Sequence, residues 1–178
     1  MLHDDFGELE PTHMALLDEI VTKHPSLHTK VFELLSRLYD RQANQMRLTE
    51  VIIGRQRCIV DRFIQLLAFG FALPVIEKIY RMFREGQIDV SLVRYFVLEV
   101  LNIIEPPYSY EFVETFSPIV LDREILDVAT TTKTPAVSDF IRHVSMTSME
   151  KEQPPGRSSA IDSDSEYEVL DCGRVDFS

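Results

Sequence analysis

Ser91-Leu92-Val93-Arg94-Tyr95-Phe96-Val97-Leu98-Glu99-Val100-Leu101-Asn102-Ile103-Ile104 decides the fold. Between Leu92 and Ile104 only Arg94, Glu99 and Asn102 interrupt the apolar run. A helix apolar nearly all round is buried on most sides. Its 13 residues fall short of the ~20 that a membrane span needs. The segment therefore belongs in the middle of a helical stack, and Leu98 is expected to be deeply buried. Asp89 or Ser91 caps its start, since either side chain can accept a backbone N–H of the first turn. Pro106-Pro107 stops it, because proline cannot continue the hydrogen-bond ladder.

Apolar residues recur at helical spacing on both sides of this segment, and strand alternation is absent. Upstream, Thr12 is a candidate N-cap, with Met14, Leu17 and Val21 on one face and Leu16 and Ile20 widening it. After Pro25 a second helix turns Leu27, Val31, Leu34, Leu35 and Leu38 inward and Lys30, Glu33 and Arg37 outward. A third runs from about Thr49 to Phe69, with Ile52, Ile59, Phe63, Leu66 and Leu67 as its stripe. Gly70 and Gly86 suit the left-handed residue that ends a helix. Pro74 fits the first turn of a fourth helix, whose Val75, Ile76, Ile79 and Phe83 face inward. Downstream, Ser109 caps a sixth helix carrying Phe112, Val113 and Phe116, which Pro118 kinks or splits. A short piece, Arg123 to Ala129, follows. Thr134-Pro135 then opens a last helix with Val137, Phe140, Ile141 and Val144.

The first six helices fall into three hairpins, about 12–43, 47–85 and 89–121. Their period lies in the range of two-helix solenoid repeats. The expected fold is all-α: an irregular helical-repeat, HEAT-like stack of helix hairpins over residues 12–147. Residues 1–11 are expected to be a flexible N-terminus. From Ser148 to Ser178 Pro, Gly, Ser, Asp and Glu dominate, with three Lys/Arg against eight Asp/Glu. Such a segment buries too little apolar surface to offset its ordering entropy, so 148–178 is expected to be a disordered acidic tail.

The net charge is −11, which repels phosphate backbones on average and disfavours wholesale nucleic-acid binding. The start, Met1-Leu2-His3-Asp4-Asp5, lacks a signal-peptide pattern, and an intracellular location without membrane contact is expected. Cys58 and Cys172 are the two cysteines and no structural disulfide is expected. Cys58 reads as a packing residue rather than a nucleophile. His24 and His28 have the i,i+4 spacing of zinc ligands, but Pro25 intervenes and no partner cluster is near, so both read as solvated and no metal is expected. Asp18, Glu19 and Glu33 read as solvated carboxylates. Glycines are scattered singly, so no phosphate-cradling loop can form. No catalytic residue and no cofactor is expected.

Two basic groups stand out: Arg55, Arg57 and Arg62 on the third helix, and Lys78, Arg81 and Arg84 on the fourth. If the helices pair, the groups could meet beside Tyr80 as a nucleic-acid contact; solvated helix faces are the plainer reading. In the tail, Ser159, Ser163 and Ser165 each have an acid three residues on (Asp162, Glu166, Glu168), the spacing that acid-directed kinases favour. The plain alternative is a solubilising tail.

Thr12-His13-Met14-Ala15-Leu16-Leu17-Asp18-Glu19-Ile20 and Ser91 to Leu101, followed by Pro106-Pro107-Tyr108 and Phe112-Val113, resemble the negative elongation factor C/D (TH-one-like) family. Ala72-Leu73-Pro74-Val75 and Ser138-Asp139-Phe140-Ile141 add matches in order. The resemblance covers about residues 10–146 and is to the family's C-terminal portion. It implies a non-catalytic helical component of the negative elongation factor complex, which holds RNA polymerase II in a promoter-proximal pause. Such a component works in the nucleus beside the A and B components of that complex, with some RNA contact. The rival readings are a stand-alone helical adaptor without a pausing role and a single-stranded nucleic-acid binder.

Overall fold

A computed structural model describes residues 11–43, 50–126 and 134–152. Its elements are all helical: α1 (Pro11–Lys23), a 3-10 turn (Pro25–Leu27), α2 (His28–Ala43), α3 (Glu50–Ala68), α4 (Ala72–Arg84), α5 (Val90–Ile103), α6 (Tyr110–Val120), α7 (Arg123–Leu126) and α8 (Pro135–Glu152). The all-α fold read from the sequence is the fold of the described residues. No helix among the described residues is long and apolar enough to cross a membrane. Residues 148–152, read from sequence as tail, continue α8.

The punctuation residues act where the sequence places them. Gly70 and Gly86 have φ of 93° and 66°, a region that costs glycine little. At each stop two N–H groups recover carbonyls of the last turn. Gly70 N–H reaches Leu67 O at 2.9 Å and Phe71 N–H reaches Leu66 O at 3.0 Å. Gly86 and Gln87 repeat this on Phe83 and Met82, the Schellman arrangement. Asp89, rather than Ser91, caps α5, its side chain accepting from Ser91 N–H. Ser109 caps α6 by accepting from Phe112 N–H.

The packing order is that of stacked hairpins. α3 packs on α1, α2, α4 and α5; α5 in turn packs on α4, α7 and α8; and α4 lies against α6. Odd helices thus follow odd and α6 follows α4, which is compatible with a HEAT-like stack. Two aromatic clusters fill it. Phe96, Phe112, Phe116 and Phe140 join α5, α6 and α8 through ring contacts of 5.0–6.3 Å. Phe32 bridges Phe63 and Phe71 at 5.7 and 5.5 Å, locking α2 to the α3–α4 hairpin.

Several expectations are corrected. Leu98 is half-buried, while Leu92, Val93, Phe96, Val97, Val100 and Leu101 form the buried face of α5; α5 has neighbours on most sides but not all. Leu16 and Leu34 are 56% and 43% exposed, because each sits at the edge of its stripe where the first hairpin has no further described helix against it. The fourth helix buries Met82, and Phe83, expected inward, is half-buried. Thr12 lies inside α1, which begins at Pro11, the residue whose missing N–H suits a first helical position. Pro118 does not split α6, which runs on to Val120. So near the end, proline removes a single ladder bond, and Leu121 N–H closes the last turn on Ser117 O at 2.8 Å. The short helix ends at Leu126; the expectation for 127–129 lies outside the described residues, as do the side chain of Ile52 and residues 1–10.

Candidate interaction surface

Position along a helix fixes direction. Arg57 and Arg62 are five residues apart, which at 3.6 residues per turn sends them to faces roughly 140° apart. The guanidinium of Arg57 lies over the Tyr95 ring of α5, 4.3 Å from its centroid. The Tyr95 hydroxyl donates to Asp61 Oδ1 at 2.8 Å. Burial, with the Asp61 hydrogen bond and charge behind it, raises the Tyr95 pKa above its ordinary value. Arg62 turns instead to α1, donating to Asp18 Oδ2 at 2.7 Å, with side chains 22% and 36% exposed. Asp18 is therefore a half-buried partner that pins α1 to α3, not the solvated carboxylate read from sequence. The helical period shows which way Asp18 leaves α1 but not that Arg62, 44 residues on, waits there.

On α4 the three bases also separate. Lys78 is only 13% exposed and donates to Asp40 of α2 at 2.8 Å. Arg81 and Arg84 instead face α6. With Glu77 and Tyr80 they form one wall of an open groove of about 540 Å³, whose other wall is Glu114, Thr115 and Pro118 of α6. Neither arginine makes an ion pair with a described residue. Of the six bases, the structure brings Arg81 and Arg84 together, holds Arg62 and Lys78 on carboxylates, and sets Arg57 on an aromatic ring. Arg55 is exposed on α3. Glu77, Tyr80, Arg81 and Arg84 share a helical face at i, i+3, i+4 and i+7, and that much is readable from sequence; that α6 closes the groove is not.

The remaining candidates resolve simply. His28 is 6% exposed, a correction of the solvated reading. Its Nε2 donates to Val21 O at 2.8 Å, one of the carbonyls that the end of α1 leaves without a ladder partner. The 3-10 turn at Pro25–Leu27 folds the ring back under α1. His24 is exposed. No group of three or more His, Cys, Asp or Glu able to hold a metal occurs among the described residues. Cys58 is exposed, not packed. Ser159, Ser163, Ser165 and Cys172 lie outside the described residues. The geometry provides contact surfaces: a groove, a first hairpin with two leucines outward, and charged latches.

Comparison with known proteins carries the matter further. The family model described as TH1 protein matches residues 2–149. The chain is 39% identical over 137 residues to negative elongation factor D of Mus musculus, and to that of Sus scrofa; each match takes in 75% of this chain and 22% of the relative. The chain thus spans about a fifth of the length of the curated relatives it matches.

Proposed function

The chain belongs to the TH1 protein family, and from that premise we propose that it is a non-catalytic component, or part of one, of a negative elongation factor complex. In this reading it works in the nucleus, represses transcription elongation and supports the promoter-proximal pause of RNA polymerase II through protein–protein contacts with negative elongation factors A and B. The observation that carries the reading is identity of 39% sustained over 137 residues, a length that no isolated motif could produce. The physical character of the surface supports it. The helices are held by Asp18–Arg62 and Lys78–Asp40 latches and two aromatic clusters, so surface residues are presented on a rigid frame. Binding through preformed surfaces needs no group of perturbed acidity, and the raised tyrosines Tyr39, Tyr95 and Tyr108 owe their shifts first to burial.

The test is affinity capture. The tagged chain, expressed in cells of its own source, should bring down negative elongation factors A and B. Both should stay bound through a wash at about 0.3 M salt, where contacts between exposed charges are largely screened. Capture of the intact chain with neither factor, where a full-length relative recovers both, removes the reading and leaves the stand-alone adaptor.

A further inference from the structure

The groove between α4 and α6 has two features that ask for an occupant. Arg81 and Arg84 stand one turn apart on its α4 wall without an ion-pair partner among the described residues. The α6 wall offers Thr115 and Pro118 as an apolar face. Glu77 and Glu114 make the lining neutral as a whole, so a ligand held by charge alone would find little here. The fitting ligand carries acids along one edge and apolar groups along the other.

The chain contains such a segment. Asp162 to Asp171 reads Asp-Ser-Asp-Ser-Glu-Tyr-Glu-Val-Leu-Asp, with five acids and no base. We propose that this segment docks in the α4–α6 groove of its own chain, Glu166 and Glu168 on Arg81 and Arg84, Tyr167 and Val169 against Thr115 and Pro118. Side chains alternate along an extended segment, so Glu166 and Glu168 face one wall while Tyr167 and Val169 face the other. Two residues of extended chain advance about 6.6 Å, close to the ~5–6 Å between Cβ atoms three apart on a helix. The tether also fits. Glu166 stands fourteen positions beyond Glu152, the end of α8, a length of chain that reaches at most about 50 Å, against the roughly 18 Å of helix between Glu152 and Phe140, where α8 meets α6. α8 packs on α6, whose other side lines the groove, and a helix with its side chains is only about 10–12 Å across. Phosphate on Ser163 or Ser165 would add charge beside the arginines.

The two native cysteines provide the assay. Spin labels on Cys58, exposed on α3, and Cys172, one residue beyond the segment, report the tail-to-α3 distance in the full chain by pulsed electron resonance. A narrow distance component is expected. Arg81→Glu with Arg84→Glu should abolish it, as should Glu166→Arg with Glu168→Arg, and combining the two reversals should restore it. Both arginines are exposed, so circular dichroism should show the variants folded; as a mutation-free measurement, about 1 M salt, at which charges more than ~3 Å apart are screened, should erase the component in the parent chain. A broad distribution in the parent, a narrow one indifferent to both reversals and salt, or one that vanishes on dilution with unlabelled chain (a contact between copies) would each overturn the proposal.

Discussion

Phe140→Ala tests whether the aromatic cluster holds α8 to the stack. Phe140 is fully buried and meets Tyr108, Phe112 and Phe116 at 5.2, 6.0 and 5.5 Å, each ring tilted by 70–76°. These are edge-to-face contacts, favourable beyond the area they bury. Truncating a buried phenylalanine costs about 3–5 kcal/mol, because a cavity remains as well as lost transfer energy. The high end applies here: Val137 is the other fully buried side chain on the described part of α8, so little else can collapse into the gap. For a domain of this size each kcal/mol shifts Tm by roughly 2–4 °C, so a drop of about 10–20 °C is expected. Urea titration should move the midpoint by about 2 M with the slope unchanged. Phe140→Leu, which retains most of the volume, should lose less than half as much. A loss below about 1.5 kcal/mol for the alanine variant would mean that α8 is not held by this cluster, and the packing account of that end of the stack would fall.

Other outcomes follow from single residues. Leu98→Asp should cost no more than about 2 kcal/mol, because Leu98 is half-buried and its carboxylate can reach water; a larger loss by chemical denaturation would show that the site is sealed. Tyr39 is fully buried, and burial first, then Asp89 and Asp40, push its pKa far above the ordinary range. With the folded value raised above the unfolded one, the folded state holds the proton longer, so this contribution is intact below pH ~10 and is lost as pH rises past it. Tyr39→Phe should flatten the fall of stability between about pH 10 and 12; an unchanged alkaline limb would refute the assignment. If the six-base group binds single-stranded RNA, Arg62 and Lys78 are already on carboxylates. At most four bases then remain, and the log–log salt slope should be no steeper than about −3. A steeper slope would place the RNA elsewhere.

Among the described residues the helices, the glycine stops and the caps of α5 and α6 are legible in the sequence because they depend on neighbours in the chain. Gly70, Gly86 and Ser109 act through backbone groups within five residues. The apolar run at Ser91 likewise marks α5 as central, and it contacts α3, α4, α7 and α8. What does not read depends on residues far apart in sequence. Asp18 looks solvated until Arg62 is placed over it, and Lys78 looks like part of a basic face until Asp40 is. His28 looks like a helix-start histidine until the turn tucks it beneath Val21 O. Leu98 and Leu34 mislead for another reason: an apolar stripe gives the centre of the buried face, whereas its edges depend on how many neighbours the stack supplies. The basic group disperses for the same reason, since a helical wheel orders directions on one helix and says nothing of what stands opposite.

The central claim is that this chain acts by binding other components of the negative elongation factor complex. Its most direct test is size-exclusion chromatography with light scattering of the purified chain mixed with purified negative elongation factors A and B, using Phe140→Ala as a packing control. The account predicts co-elution of the parent chain at the mass of an assembled complex, weakened in the variant. Separate elution of a folded parent chain at micromolar concentration would contradict it.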